Sequence, residues 1–169
     1  MKLTIALVLL ILAGFFLPVL TLDSAEEYEN FFNKYGFSGN NLVSRPYVLV
    51  TSIFLHGNLE HLLSNMLVLL FFGIAVESEF GKKKMLLIFF LGALAGDFLS
   101  LFFYPPETIA IGSSAGIFAL IGAGMIAKPV DISFYPFIIP VPLALLGILY
   151  IIYNIYGFIM GIDPNVSYV

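Results

Sequence analysis

Five apolar stretches, separated by shorter polar segments, dominate the hydrophobic pattern of this chain. An α-helix needs roughly 20 apolar residues to cross a bilayer, and four of the stretches approach that length. The pattern therefore predicts an all-α fold, a polytopic transmembrane helical bundle that forms a single domain over residues 1–169. The predicted helices run from about Leu3 to Leu22, Leu59 to Val76, Met85 to Tyr104, Ser114 to Ala127 and Val141 to Ile162.

Composition supports a membrane protein and excludes several classes of function. Hydrophobic residues make up 60% of the chain and charged residues 11%, whereas soluble domains have about 25% charged residues. The net charge of −4 and the presence of only seven Lys and Arg residues argue against nucleic-acid binding. The sequence has no cysteine, which excludes disulfides and thiol catalysis.

The first apolar segment resembles a secretory signal because Lys2 precedes it. It is nearly as long as a full membrane span, and no small-residue cleavage site follows it before the sequence TLDSAEEYE. A retained membrane helix is the favoured interpretation.

The distribution of basic residues predicts an orientation in the membrane. Lys2, Lys82–Lys84 and Lys128 fall on one side, and Lys34 and Arg45 fall on the other. The positive-inside rule then places the amino terminus in the cytoplasm. The segment of residues 23–57 becomes an external loop, and its many aromatic residues predict a structured, partly membrane-embedded loop rather than a flexible linker.

The fourth apolar segment begins with Gly112-x-Ser114-x-Gly116. This string matches the nucleophile elbow of α/β-hydrolases, but that motif requires a preceding strand, which the sequence does not predict. A helix of about 14–16 residues is roughly 21–24 Å long, shorter than a hydrocarbon core of about 30 Å. With Lys128 at the cytoplasmic face, Ser114 is predicted to lie below the external surface, beneath a wet cavity.

Two interpretations of this serine segment compete. The first turn of a helix leaves amide N–H groups unpaired, and such groups can stabilise an oxyanion beside a nucleophilic serine. Small residues are also common where membrane helices pack closely, and Gly92 and Gly96 form a G-x-x-x-G motif on the third helix. From this segment alone, helix packing is the stronger interpretation.

A second polar motif lies at the start of the second helix, in the sequence FLHGNLEHLLSNMLVLLFFG. Asn58 is a predicted N-cap. His61 and Asn65 are four residues apart, so they share one helical face, and polar side chains on a membrane helix need a partner or a cavity. Both can donate hydrogen bonds to an oxyanion. A metal site is the alternative, but the motif is not H-E-x-x-H and no further ligands accompany His56 and His61.

Together, these residues resemble the rhomboid family of intramembrane serine proteases. The resemblance depends on H-x4-H-x3-N at His56, His61 and Asn65, on GIAVESEFG at the end of the second helix, and on a helix that begins G-x-S after one intervening span. It covers about Arg45 to the end of the chain. It implies a rhomboid-like bundle in which five of six core helices are present.

The resemblance also implies a role for each residue of the motif. Ser114 matches the nucleophile, and Ser113 occupies the variable position before it. His61 and Asn65 match the pair that stabilises the oxyanion, while His56 and Gly112 match structural residues beside the site. His56 is expected to hydrogen-bond the external loop. The expected partners are transmembrane protein substrates and the lipid bilayer, with no cofactor, metal or nucleic acid. The compact sequence without appended soluble domains predicts a prokaryotic cell membrane, with an organelle membrane as the alternative.

The sequence departs from the family at the general base. That base is a histidine on a sixth helix, in the context A-H-x-x-G, and the chain ends at DPNVSYV, about where this helix should begin. The interpretations are truncation, which is favoured, a naturally inactive relative, or another group acting as the base. A rhomboid-like protein that binds membrane helices without cleaving them is therefore the alternative function, and a small transporter is a weaker one. Asp97, an acidic residue within the third helix, has no assigned role.

Overall fold

A computed structural model describes residues 2–130 and 141–160 of the protein, except for the side chains of residues 157 and 158. These residues form eight α-helices and one 3₁₀ turn. The elements are α1 Lys2–Thr21, α2 Ala25–Tyr35, α3 Gly39–Leu42, α4 Val48–Thr51, the 3₁₀ turn Ser52–Phe54, α5 Leu59–Phe80, α6 Lys82–Phe103, α7 Ser114–Ala127 and α8 Leu143–Met160.

The five long helices correspond to the five predicted segments, and the all-α bundle is confirmed. Three of them, α1, α5 and α6, are long and apolar enough to span a membrane, while α7 and the apolar part of α8 are shorter. Helix α7 has the predicted bounds, but α5 continues past the predicted Val76 to Phe80. Residues 161 and 162 of the fifth predicted segment lie outside the described residues.

One end of the bundle gathers the lysine-rich segments. The carboxylate of Glu77, near the end of α5, accepts hydrogen bonds from the backbone N–H of Thr4 at 2.8 Å and from its hydroxyl at 2.7 Å. Glu77 thereby satisfies an N–H group that the first turn of α1 would leave unpaired. Lys128, after α7, donates to Ser78 Oγ at 2.9 Å. Lys2, Lys82–Lys84 and Lys128 therefore share one end of the bundle.

The loop at the opposite end is structured, as its aromatic content predicts. Ser24 and Ser38 cap α2 and α3 through their hydroxyl oxygens. Phe37 and Ala110 exchange two backbone hydrogen bonds of 3.0 and 2.8 Å, which join this loop to the segment before α7. The backbone N–H of Gly112 also donates to the carbonyl of Ser52 at 2.9 Å. These bonds fix the chain just before the serine pair.

Helix α7 lies in close contact with α6 through small residues. A Cβ atom added at Gly92 would lie 2.4 Å from Ala119 Cβ, and one added at Gly96 would lie 2.4 Å from Ala115 Cβ. No real side chain tolerates such contacts, so both positions require glycine for this approach. The G-x-x-x-G motif therefore serves packing between these two helices, as one of the two interpretations expects.

Helix α7 also packs against α5 and α8, with Ile117, Leu120 and Ile121 buried in the core. Because α7 has three neighbours, its first turn lies among side chains from all of them. The chain before it, residues 104–113, runs inward from the end of α6 without forming a helix. This arrangement places the serine pair beside the start of α5.

Candidate active site

His56 lies in the short segment between the 3₁₀ turn and α5, and its side chain is buried. Its Nε2 atom is 3.0 Å from Asn65 Nδ2 and 3.4 Å from Ser113 Oγ. An amide nitrogen can only donate, so the Asn65 amide makes Nε2 the hydrogen-bond acceptor and leaves the ring proton on Nδ1. His56 therefore links the second-helix motif to the serine pair.

The His56 imidazole is neutral at physiological pH. Burial, followed by the charge of the neighbouring His61 ring, lowers the pKa of His56 to about 3, and a backbone interaction with Phe54 in the external loop opposes the shift. A general base works best when its pKa lies near the operating pH. His56 is consequently a poor proton acceptor and suits a structural role.

Asn65 is fully buried on α5, and both ends of its amide have partners. Nδ2 donates to His56, and Oδ1 accepts a hydrogen bond of 3.2 Å from the hydroxyl of Tyr150 on α8. The predicted sharing of one face by His61 and Asn65 is realised in a polar cluster between α5, α7 and α8. Such a cluster is stable in an apolar bundle because its groups bond one another.

His61 and Gly112 are in direct proximity. Asn58 caps α5 by accepting from the His61 backbone N–H at 2.7 Å, which confirms the predicted N-cap. The His61 ring is 4.9 Å from that of His56, measured between centroids. Gly112 has a φ of +120°, and a Cβ atom there would lie 2.9 Å from His61 Cε1. Glycine therefore permits both this backbone conformation and the close approach of the ring.

Ser114 is the first residue of α7 and faces a different space from Ser113. It lines a small cavity of about 30 Å³ between α6 and α7, together with Gly96, Asp97 and Ser100. A polar cavity of this volume has room for a water molecule. One carboxylate oxygen of Asp97, Oδ2, is buried there without a hydrogen-bond partner among the described residues. A small cavity therefore lies beside Ser114, and Asp97 lines it.

The arrangement offers the elements of acyl-transfer chemistry. Ser114 presents a half-buried hydroxyl at a helix start, where backbone N–H groups lack helical partners and carry partial positive charge. Asn65 and His61 carry side chains that can donate hydrogen bonds, and the His61 ring lies beside Gly112, two residues before Ser114. Preorganised donors of this kind stabilise a developing oxyanion in a site that excludes water.

Three residues at the site had no role in the sequence-based interpretation. Ser113 was expected only to fill a variable position, yet it is fully buried against His56. Tyr150 was not singled out, although a tyrosine four residues before Asn154 forms a polar stripe on the apolar helix α8. Asp97 was singled out without a role, because the sequence cannot reveal that α6 turns it toward Ser114.

The pair of histidine rings raises the metal alternative again. Within residues 2–130 and 141–160, no three His, Asp or Glu side chains come together in a group that could hold a metal ion. Zinc sites use four protein ligands when structural and three when catalytic, more than two imidazoles supply. The hydrogen bond from Asn65 also occupies His56 Nε2. The described geometry therefore favours a hydrogen-bonded cluster.

Comparison with known proteins identifies the family of this chain. The family model of the Rhomboid domain matches residues 43–169, which include α5, α6, α7 and α8. The chain belongs to the rhomboid family. The resemblance carried by His56, His61, Asn65 and the serine segment is therefore confirmed at the level of the family.

Named rhomboid relatives resemble different shares of the chain. RHOMBOID-like protein 12, mitochondrial, from Arabidopsis thaliana is 31% identical over 69% of this chain and 40% of its own length. RHOMBOID-like protein 4 from the same plant is 40% identical over 47% of the chain and 20% of its own length. Rhomboid-like protease 3 from Toxoplasma gondii is 36% identical over 47% of this chain and 30% of its own length. The chain thus spans well under half the length of these relatives.

The relatives also bear on localisation. The family and the three long apolar helices support an integral membrane protein. The named relatives come from a plant and a protozoan parasite, and one is named as mitochondrial. They give no support to the expected prokaryotic membrane.

Proposed function

We propose that this rhomboid-family chain forms most of the core of an intramembrane serine protease that cleaves transmembrane protein substrates. Ser114 is the nucleophile in this proposal, and His61 and Asn65 stabilise the oxyanion together with the Ser114 backbone N–H. One observation supports the proposal best. The loop before α7 (residues 104–113, called the serine loop) lies against His61 of α5 at Gly112.

The general base of the proposed protease is a histidine outside these 169 residues, with which Ser114 would form a Ser–His dyad. His56 and His61 are the only histidines in the sequence. His56 is excluded by its low pKa and by its contact with the buried Ser113 rather than Ser114. A serine hydroxyl needs an adjacent base to attack a carbonyl at neutral pH. These 169 residues alone are therefore expected to be inactive.

The proposed substrate is a membrane-spanning helix that unwinds locally at the site. Backbone groups within a helix are bonded to each other, so a scissile carbonyl becomes accessible only when those bonds open. The cavity beside Ser114 has room for the hydrolytic water.

A rhomboid-like protein that binds transmembrane helices without cleaving them is the second candidate. The sequence observation in its favour is the lack of a third histidine within the 169 residues. The reading frame after Val169 distinguishes the two candidates. A helix with A-H-x-x-G there supports the protease, and its absence from the natural gene supports the binding protein.

The decisive experiment measures labelling of the complete gene product by a fluorophosphonate probe. Ser114→Ala is expected to abolish labelling, while Ser113→Ala, the matched control, retains it. Loss of labelling in Ser113→Ala together with full labelling of Ser114→Ala would show that Ser113, and not Ser114, is the nucleophile. No labelling of the parent protein, with the fold intact, would favour the binding function.

The proposed orientation places the amino terminus in the cytoplasm and residues 23–57 outside. Because the chain lacks cysteine, single cysteines at Ser38 and Lys83 test this with an impermeant thiol reagent. Since Ser38 is buried, the exposed Asn40 provides a second external position. Asn40→Cys should react in intact cells and Lys83→Cys should not; the reverse pattern would invert the topology.

A further inference from the structure

Tyr150 on α8 contacts both of the helices that form the candidate active site. Its hydroxyl donates to Asn65 Oδ1 on α5 at 3.2 Å. Its ring lies against Phe118 on α7, with 5.5 Å between the ring centroids. The Tyr150 side chain thus connects α8 to α7 by an apolar contact and to Asn65 on α5 by a hydrogen bond.

The orientation of the Asn65 amide depends on its two partners. The terminal torsion of an asparagine side chain has a broad energy profile, so the side chain itself sets no strong preference. The described hydrogen bonds direct Oδ1 toward Tyr150 and Nδ2 toward His56, whose Nε2 also contacts the Ser113 hydroxyl. Only the nitrogen end can donate to an oxyanion. An amide flipped by 180° would present its oxygen to the developing negative charge.

We infer that Tyr150 is a positioning residue, whose hydroxyl holds the Nδ2 end of Asn65 toward His56 and the serine loop. The effect of this orientation on catalysis rests on the proposed function. The orientation of the Asn65 amide does not depend on that function. Because the amide is fully buried in an apolar bundle, no bulk water competes for Oδ1. The position of α8 is thereby coupled to the donor that faces the serine loop.

The ring proton of His56 reports the amide orientation directly. With Nδ2 donating, His56 Nε2 is unprotonated and Nδ1 carries the proton. The test labels histidine with ¹⁵N in the 169-residue protein in lipid nanodiscs and assigns the His56 tautomer from its two nitrogen shifts. The parent protein should show a single Nδ1–H form.

The informative variant is Tyr150→Phe, which removes the hydroxyl and keeps the ring on Phe118. It should produce a second His56 population with the proton on Nε2. Tyr153→Phe is the matched control, because Tyr153 lies one turn away on α8 and is 54% exposed. It should leave the His56 signals unchanged. An Nε2–H form in the parent, or identical spectra for the parent and Tyr150→Phe, would overturn the inference.

A kinetic measurement separates positioning from a general effect on folding. In the complete gene product, Tyr150→Phe should lower kcat about threefold to tenfold with KM unchanged, the range expected for one hydrogen bond. Tyr153→Phe should keep the parent kcat. Unchanged kcat in Tyr150→Phe would contradict a positioning role. If Ser114→Ala remained active while the tautomer shifted as expected, the proposed function would fail and the orientation would stand.

Discussion

Ser113 and Ser114 are neighbours in the sequence but lie in contrasting surroundings. Ser113 is fully buried, and its hydroxyl is within 3.4 Å of a histidine whose other partner is the Asn65 amide. Ser114 is half-buried and lines a cavity that Asp97 also lines, and Oδ2 of Asp97 is buried without a hydrogen-bond partner among the described residues. Structural hydroxyls tend to be fully bonded and closed off, whereas a nucleophile needs space for a substrate.

The contrast shows why contact with a histidine does not by itself identify a catalytic serine. A pKa of about 3 makes His56 a weak base at neutral pH. Because Ser113 is closed off from solvent and substrate, its hydroxyl serves the cluster that supports α5. Ser114 has the opposite properties, open space and no histidine partner within the described residues. The four predictions below test this division, in order of decreasing expected effect.

The largest effect is expected for Asn65→Ala in the complete gene product. Removal of one oxyanion donor typically lowers kcat by about 10²- to 10³-fold. Leu63→Ala is the control, because Leu63 lies on the exposed face of the same helix. Cleavage of a transmembrane substrate in proteoliposomes is the measurement. If activity fell only in proportion to the amount of folded protein lost, the cluster of Asn65, His56 and Ser113 would have a purely structural role.

Gly112→Ala should destabilise the fold by about 2–3 kcal/mol, since a non-glycine residue is strained at positive φ and its Cβ meets the His61 ring. Gly122→Ala on α7 is the matched control, because a Cβ there meets nothing within 4 Å. It should be neutral or slightly stabilising. Denaturant unfolding in micelles measures both variants. Equal stability of the two would mean that the loop before Ser114 is not tightly held.

The neutral His56 predicts a loss of stability in acid. Folding lowers the pKa of His56 from 6.5 to about 3, so the unfolded state binds more protons between these values. Its contribution to stability is therefore fully present above pH 6.5 and decreases as the pH falls toward 3. Between pH 7 and pH 5 the loss should be about 2 kcal/mol.

His56→Gln is the control for this pH dependence, because it removes the titrating ring and keeps a polar side chain. The variant should lose less stability than the parent over the same interval, measured by unfolding at each pH. Parallel pH profiles for the two proteins would mean that His56 is protonated as readily when folded as when unfolded.

The smallest effect concerns the carboxyl group in the Ser114 cavity. Asp97→Asn should raise the free energy of unfolding by about 1 kcal/mol, because a carboxyl group with one buried oxygen lacking a partner is costlier in an apolar bundle than an amide of the same shape. Asp23→Asn, in the exposed loop, should change little. Destabilisation by Asp97→Asn would show that the carboxylate has a favourable role there.

Much of the fold follows from the sequence because membrane helices are specified by local properties. Hydrophobic length predicted all five long helices, and α7 has the expected bounds because Lys128 and Gly112 flank it. Asn58 was predicted as a cap from its position alone and does cap α5. The end of α5 was missed, because Glu77 and Glu79 interrupt the apolar pattern while the helix continues. The hydrogen bonds that Thr4 donates to the Glu77 carboxylate offset that interruption.

The sequence by itself determined the membrane helices, the family and the polar residues that need partners. It did not determine which partners they find. That Ser113 meets His56, that Asp97 borders Ser114, and that Tyr150 reaches Asn65 depend on how α5, α6, α7 and α8 rotate and approach one another. Helix formation is decided by neighbouring residues, whereas hydrogen bonds between helices depend on packing over the whole bundle, which only the tertiary structure decides.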